Sequence, residues 1–261
     1  MRLPSLAHVR TLASASGLDL CGLVDRVRFD AGEPSERRLQ REAPTCGTAV
    51  VLASAGRSFG KQFGRWHAES GRSRATAAMF ALATATEIAA LLQQAGVGCT
   101  VLGFGGRVRV NDARLGEAAG FGIVSPVSGL LLHPEFGPWV RVRAAILCDG
   151  LPFGAVPDAS IAEQFHPCCG CPQPCVTACP ATVHDGMGQH DHARCGSHRL
   201  RGGCDTGCGS RSACPLGAEH RDDEALPVHR HTYELTSLQR WLGFGVWRVV
   251  PPGWRGGPLR R

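Results

Sequence analysis

Three segments in the first 120 residues carry apolar side chains at helical spacing. The stretch "SLAHVRTLASASG", residues 5–17, predicts a short helix that ends at a glycine. The alanine-rich stretch "RATAAMFALATATEIAALLQQAG", residues 74–96, predicts a long and mostly buried helix. In "NDARLGEAAG", residues 111–120, Asn111 is a plausible N-cap for a third helix.

Runs of apolar residues between these segments predict buried strands. Two short runs, "LDLCGLV" at 18–24 and "TAVVLAS" at 48–54, precede the long helix, and "CTVLGF" at 99–104 follows it. Residues 129–150 give two further strand-like runs around a Pro-Glu-Phe-Gly turn. This mixture of strands and helices predicts a layered α/β body.

The pattern changes after Asp158 and divides the chain into three parts. Residues 166–231 are rich in Cys, Gly, His and Arg and poor in aliphatic side chains, so apolar burial alone would not offset the entropy of ordering them. Metal–thiolate bonds are the expected source of stability. We therefore predict a body at 1–160, a metal-binding module at 161–231 and a C-terminal segment at 232–261 that packs on the body and ends in a flexible basic tail.

The cysteine content bounds the chemistry. The chain has 261 residues and 13 cysteines, an odd number, and its first residues do not resemble a secretory signal. No stretch reaches the roughly 18 apolar residues of a membrane span. These features favour a cytoplasmic protein without a membrane partner, in which clustered cysteines bind metal rather than form disulfides.

Two runs of cysteines close on Cys-Pro, and each run resembles a ferredoxin-type cluster motif. The first run is "CCGCPQPCVTACP", and the second ends in "CDTGCGSRSACP". In such motifs three close cysteines hold one 4Fe-4S cluster, and the cysteine before the proline reaches the other cluster. The natural assignment gives one cluster to Cys168, Cys171, Cys175 and Cys214, and the other to Cys179, Cys195, Cys204 and Cys208.

Two alternatives stay open at this point. Cys169 could replace Cys168 as a ligand, and four-cysteine zinc sites also use C-x2-C pairs. Four other cysteines mostly sit in or beside apolar runs and are expected to be small buried side chains: Cys21, Cys46, Cys99 and Cys148. The histidines between the two runs match no zinc spacing and are expected in a solvated loop: His184, His190, His192 and His198.

The charge of the chain is only a weak sign of nucleic-acid binding. The formal net charge of +6 counts every cysteine as neutral. A 4Fe-4S cluster with its four thiolates carries about −2 when oxidised, so two clusters would lower the net charge to about +2.

The order of these features resembles a known superfamily. The stretch "AGFGIVSPVSGLLLHPEFGPWVRVRAAI", residues 119–146, followed by the two Cys-Pro runs, resembles the cobalamin-dependent epoxyqueuosine reductases and reductive dehalogenases. It is also similar to part of the animal cobalamin-processing protein that removes the upper ligand of cobalamin. The resemblance implies a nitroreductase-like α/β body that binds cobalamin, followed by a two-cluster ferredoxin-like module. By the same resemblance, six residues would contribute to the corrin site: Gly120, Gly122, Ser128, Gly129, His133 and Gly137.

His133 is better interpreted as a turn residue than as a cobalt ligand. The chain also departs from both families. Epoxyqueuosine reductases carry Gly-Lys-Asn where residues 123–129 read "IVSPVSG", and Asp112 does not match the register of their acid. Reductive dehalogenases use a tyrosine acid, whereas Tyr233, the one tyrosine here, lies beyond the cysteines. No catalytic residue is therefore predicted.

The leading hypothesis is an oxidoreductase that passes electrons from a ferredoxin or flavodoxin through two 4Fe-4S clusters to cobalamin and removes its upper ligand. The alternatives are an epoxyqueuosine reductase-like enzyme that modifies tRNA, and a non-enzymatic electron carrier or cobalamin chaperone. A tRNA partner is not expected, because only 47 residues follow Cys214 and the tRNA-binding repeats of that family have no counterpart.

Overall fold

The computed structural model describes residues 3–70, 76–104, 109–159, 161, 164–204 and 207–221. The predicted C-terminal segment at 232–261, with its helical pattern and basic tail, lies outside these residues.

The body is built on an antiparallel sheet. Its four described strands lie in the order β1-β2-β6-β3, and a separate two-stranded hairpin pairs β4 with β5. The strands are β1 (Leu20–Asp25), β2 (Cys46–Ala55), β3 (Cys99–Gly103), β4 (Ile123–Val124), β5 (Leu131–Leu132) and β6 (Val140–Asp149).

Helices cover both faces of the sheet. The described helices of the body are α1 (Leu6–Ala15), α2 (Arg26–Ala31), α3 (Leu39–Glu42), α4 (Ser58–Ser70), α5 (Ala77–Gln94) and α6 (Asp112–Ala118). In the cysteine-rich part they are α7 (Pro174–Thr177), α8 (His192–Leu200) and α9 (Gly209–Ala213). Single 3-10 turns occur at Ser35–Arg37 and Ala218–His220.

The two central strands explain this layering. Successive side chains of a strand point to opposite faces. Val50 belongs to the core under α1, α4 and α5, whereas Val51 belongs to the core under α2, α3 and α6. Strand β2 and residues 144–148 of β6 are thus apolar on both sides, which is the reason that they read as continuous apolar runs in the sequence.

The predicted helices and strands of the body are confirmed where they are described, and the mixed α/β class is confirmed with them. Asn111 caps α6, since its side-chain oxygen accepts hydrogen bonds from the backbone N–H of Ala113 and Arg114. The sequence interpretation missed α4. Its buried Phe59 and Phe63 lie one helical turn apart, on the face that packs on the sheet.

The cysteine-rich part has little core of its own. Within its described residues, the buried apolar cluster consists of Cys179, Ala181 and Val183, with Cys195 packed against it. The rest is short helices and turns. No described helix is long and apolar enough to cross a membrane.

Candidate metal and redox site

Four cysteines from the two runs line one cavity where the cysteine-rich part meets the body. The cavity has an empty volume of about 490 Å³, counting the solvent at its mouth. Its cysteines are those of the first predicted group: Cys168, Cys171, Cys175 and Cys214. Most of the remaining wall is apolar and comes from both parts of the chain: Val127, Leu130, Leu132, Pro138, Pro167, Pro174, Pro215 and Leu216. The cavity therefore offers four cysteine side chains within largely apolar walls.

The thiols of this group influence each other electrostatically. Burial raises the pKa of Cys175 first, and the neighbouring sulfurs of Cys214, Cys168 and Cys171 raise it further. Burial also raises the pKa of Cys214, while the backbone N–H of Leu216 acts against this by hydrogen bonding to its sulfur. Four thiolates in one place repel each other, so they need a compensating cation.

The structure distinguishes between the two adjacent cysteines that the sequence left open. Cys168 lines the cavity, and its Sγ lies 3.4 Å from Ser125 Oγ. Cys169 is exposed and is not part of the cavity wall. Geometry therefore favours Cys168 as the member of the first group.

The second predicted group is also brought together. Burial raises the pKa of Cys195 to about 11, and the sulfurs of Cys208, Cys204 and Cys179 contribute to this rise. The pKa of Cys204 is raised by burial and by the sulfurs of Cys208 and Cys179. The backbone N–H of Gly209 hydrogen bonds to the Cys204 sulfur and acts in the opposite direction. Cys179 is buried and Cys208 is exposed, so this group lies closer to the protein surface on one side.

The thiols of each group are neighbours, but their sulfur atoms do not surround a common point. In the described ranges, no three His, Cys, Asp or Glu side chains approach closely enough to hold a single metal ion. The grouping is the one expected from the sequence, and the role of the eight cysteines as ligands stays a prediction.

A tight loop between β4 and β5 forms the body side of the cavity. Ser125 Oγ accepts hydrogen bonds from the backbone N–H of Val127 at 3.2 Å and of Ser128 at 3.0 Å. The loop closes through the backbone N–H of Ser125, which donates to the carbonyl of Leu130 at 2.8 Å. Ser125 thus fixes the loop and touches Cys168, a role that no sequence signal indicated.

His184 connects this loop to the cysteine-rich part, which corrects the expectation that it lies in a solvated loop. It is only 8% exposed. Its Nδ1 lies 3.1 Å from the carbonyl oxygen of Ser128, and its Nε2 lies 3.0 Å from Ser210 Oγ at the start of α9. Burial lowers the pKa of His184. In one neutral tautomer the ring donates to the Ser128 carbonyl oxygen through Nδ1 and accepts from the Ser210 hydroxyl through Nε2.

His190 and His192 continue from His184 as a row of rings whose exposure increases, since His190 is half-buried and His192 is exposed, as expected for a solvated loop. The ring centroids of His184 and His190 are 4.8 Å apart, and those of His190 and His192 are 4.5 Å apart. Burial lowers the pKa of His190 to about 3, and within the described part of the chain its buried Nδ1 has no hydrogen-bond partner. His198 lies on α8 and packs against Gly203, which lies in the turn that follows this helix.

We expect His184→Ala to lower the stability of this junction by about 1–3 kcal/mol, because it leaves the Ser128 carbonyl and the Ser210 hydroxyl without their buried partner. Urea unfolding with and without the substitution measures the effect. His8→Ala, which removes an exposed histidine of α1, is the control and should change stability by less than about 0.5 kcal/mol. Equal effects of the two substitutions would contradict a connecting role for His184.

Of the six residues that the resemblance implied for cobalamin, Ser128 lines the cavity, and the other five contact the chain itself. A side chain at Gly122 would overlap the carbonyl oxygen of Leu132, and one at Gly137 would overlap that of Leu216. Cβ atoms at the remaining two glycines would lie 2.8 Å from Ala159 (at Gly120) and 2.6 Å from the Gly188 oxygen (at Gly129).

His133 is a turn residue, as expected. Its Nδ1 accepts hydrogen bonds from the backbone N–H of Glu135 and Phe136, and its own backbone pairs with Gly137. The part of these six residues in a corrin site stays a prediction. Close contacts within the chain are enough to explain why glycine is needed at the four glycine positions, without a corrin.

Comparison with known proteins gives the class of fold. No protein-family model matches the chain, and no curated protein sequence matches it. Solved structures do match, and two kinds of reductase are among them. The chain shares the fold of epoxyqueuosine reductases and of a reductive dehalogenase that acts in B12-dependent dehalogenation.

Three of these structures illustrate the likeness. An epoxyqueuosine reductase bound to a tRNA-Tyr stem loop is 16% identical with a TM-score of 0.56, over 84% of this chain and 66% of that one. The enzyme from Streptococcus thermophilus is 12% identical with a TM-score of 0.55, over 93% and 84% of the two chains. The B12-dependent dehalogenase is 17% identical with a TM-score of 0.55, over 91% of this chain and 36% of that one.

These numbers limit what carries over. The chain spans slightly less than two thirds of the length of several epoxyqueuosine reductases and about a third of the dehalogenase. At such identities the likeness establishes the fold. The similarity to the animal cobalamin-processing protein found no counterpart among these structures. The expectation that tRNA is not a partner is likewise unsupported, since one of the matched proteins binds a tRNA stem loop.

Proposed function

We propose that this protein is an oxidoreductase that holds two 4Fe-4S clusters, one in each group of four cysteines. The observation that carries the proposal is the cavity that Cys168, Cys171, Cys175 and Cys214 line together, within largely apolar walls. Iron–sulfur clusters are held by four thiolates, and their potentials depend on hydrogen bonds to sulfur and on solvent exposure.

The chain supplies both of these controls. Backbone N–H groups at Leu216 and Gly209 hydrogen bond to the sulfurs of Cys214 and Cys204. Such bonds stabilise the added negative charge of a reduced cluster. The two groups differ in exposure, since Cys208 is open to solvent and the first group faces the body. We propose that electrons from a ferredoxin or flavodoxin enter at the second group and leave from the first.

The proposed acceptor is cobalamin. Support comes from the fold shared with a B12-dependent dehalogenase and from the position of the cavity beside the loop of Ser125 and Ser128. When bound, cobalamin would supply a reducible cobalt centre suited to loss of its upper ligand. Among the six residues that the resemblance implied for the corrin site, we connect Ser128 with this cofactor, because it lines the cavity. The chain's own part would be to hold the first cluster beside the acceptor and to limit access of water through the apolar walls.

Anaerobic purification followed by iron, sulfide and cobalamin determination tests the proposal. We expect about eight irons and eight sulfides per chain. We also expect cyanocobalamin to bind with a change in its visible spectrum, and to lose cyanide when a low-potential reductant is added.

Each component can fail separately. Zinc in place of iron would overturn the cluster proposal. Full iron content without cobalamin binding would leave an electron carrier as the better assignment. Cobalamin binding without loss of cyanide would indicate a chaperone or a reductase with another substrate, and binding of a tRNA stem loop under the same conditions would favour the epoxyqueuosine reductase-like alternative.

A further inference from the structure

Two of the cysteines outside the cluster groups lie side by side in the sheet. Cys99 of β3 and Cys148 of β6 are direct partners in the antiparallel register, and their sulfurs are 3.8 Å apart. Directly opposed residues of antiparallel strands have Cα atoms about 4.5–5.5 Å apart. Disulfides need a Cα separation of about 4.4–6.8 Å, so the backbone already has a geometry in which these two sulfurs can bond.

The two thiols are not equivalent. Cys99 is half-buried on β3, which lies at the end of the strand order, whereas Cys148 is fully buried on the central strand β6. Their contact lowers the pKa of Cys99 and raises that of Cys148. An external oxidant can therefore reach Cys99, which is also the thiol that ionises more readily. Cys148 is buried beside Cys99 in the sheet.

We propose that Cys99 and Cys148 form a reversible dithiol–disulfide couple that reacts with low-molecular-weight disulfides. The Cys99 thiolate attacks one sulfur of a disulfide RSSR and releases RS⁻, which leaves RS bonded to Cys99. Cys148 then loses its proton, attacks Cys99 Sγ and releases the second RS⁻. Two protein thiols are oxidised by two electrons, RSSR is reduced to two RSH, and the new bond ties the edge strand to the centre of the sheet.

The chain provides an internal comparison. Cys21 is half-buried on β1, at the opposite end of the strand order, and burial raises its pKa to about 11. Like Cys99 it is of intermediate exposure, but its partner on the neighbouring strand is Leu52 rather than a second cysteine. Cys46 is a second comparison, because it is buried near Cys148 and its sulfur hydrogen bonds to the Thr48 carbonyl oxygen at 3.5 Å.

The experiment treats the full chain, purified anaerobically, with glutathione disulfide at pH 8, and maps peptides under non-reducing conditions. We expect a linked Cys99–Cys148 peptide that lacks two hydrogens and is restored by dithiothreitol. It should form at least about tenfold faster than a glutathione adduct at Cys21. In Cys148→Ala the glutathione should remain on Cys99, while Cys46→Ala should form the link as the wild type does.

The outcomes that overturn the proposal are equally direct. Absence of the linked peptide in the wild type, a stable glutathione adduct at Cys99 despite an intact Cys148, or a rate no faster than that of Cys21 would each do so. The wild-type map decides the matter even if a variant does not fold.

Discussion

Cys175→Ala is expected to remove about half of the iron from the anaerobically reconstituted protein, leaving about four irons per chain of about eight. Cys175 lines the cavity with the other three cysteines of its group, and the pKa of its thiol is raised by all three. A cluster that loses one of four thiolates loses a protein ligand and part of its protection from solvent. The bleaching of visible absorption should therefore be partial, and the remaining signal should belong to the second group.

The reciprocal substitution tests the division into two groups. Cys179→Ala should remove the other half of the iron, since Cys179 is buried beside Cys195 and raises its pKa together with Cys204 and Cys208. Iron analysis and electron paramagnetic resonance of the reduced variants would show which cluster remains. Identical spectra for the two variants would contradict the grouping.

Cys169→Ala is the matched control. Cys169 is adjacent to Cys168 in the sequence but is exposed and outside the cavity. We expect this variant to keep its full iron content. If it loses as much iron as Cys175→Ala, the choice of Cys168 over Cys169 is wrong, and Cys169 belongs to the first group instead.

The sequence predicted which three cysteines of each group lie close together because spacing within one run is a local property, whereas the fourth member was assigned from the pattern of ferredoxin-type motifs. Three close cysteines limit how the chain can turn, and the Cys-Pro pair ends each run. The strands of the body were predictable from their apolar runs, since β2 and residues 144–148 of β6 are buried on both faces of the sheet. The boundaries of α5 and α6 followed from a cap or a terminating glycine in the sequence.

The contacts between the two parts of the chain were not predictable in this way. His184 bonds to Ser128, 56 residues earlier, and the neighbouring residues in the sequence give no sign of this partner. The glycines of the segment 120–137 show the same limitation. Their sequence pattern indicates close backbone approach. Only the fold shows that the approaching backbone at Gly137 belongs to Leu216 rather than to a cofactor.

Helix α4 shows a different kind of miss. Its sequence contains Gly60 and Gly64, which lower helix propensity by about 1 kcal/mol each relative to alanine. Burial of Phe59 and Phe63 against the sheet outweighs that cost, with ring contacts to Phe80 at centroid distances of 5.4 and 6.1 Å. The helical spacing of the aromatic residues was present in the sequence, and tertiary packing decided the outcome.

Gly137→Ala is expected to be the most damaging single substitution at the junction of the body and the cysteine-rich part. Gly137 has a φ of +52°, and a Cβ there would overlap the carbonyl oxygen of Leu216. Gly217, with a φ of +63°, packs in return against the backbone of Phe136. Neither backbone can move aside cheaply, because each glycine makes room for the other segment.

The expected cost has two parts that a control can separate. A non-glycine residue in the left-handed region costs about 1–3 kcal/mol. Gly150 has a φ of +64°, and no atom of the described residues lies within 4 Å of the place that its Cβ would take, so Gly150→Ala carries only this conformational cost. We expect Gly137→Ala to lower the free energy of unfolding by at least about 2 kcal/mol more than Gly150→Ala, because overpacking adds to the strain.

The substitution should also reach the proposed first cluster, since Leu216 lies two residues after Cys214 and lines the same cavity. Displacing this segment moves Cys214 away from Cys175, so Gly137→Ala should lose iron from the first group while the second group keeps its own. Iron content and chemical unfolding, measured on both variants, test the two effects together. If Gly137→Ala matches Gly150→Ala in stability and retains all of its iron, the junction tolerates separation and does not support the first cluster.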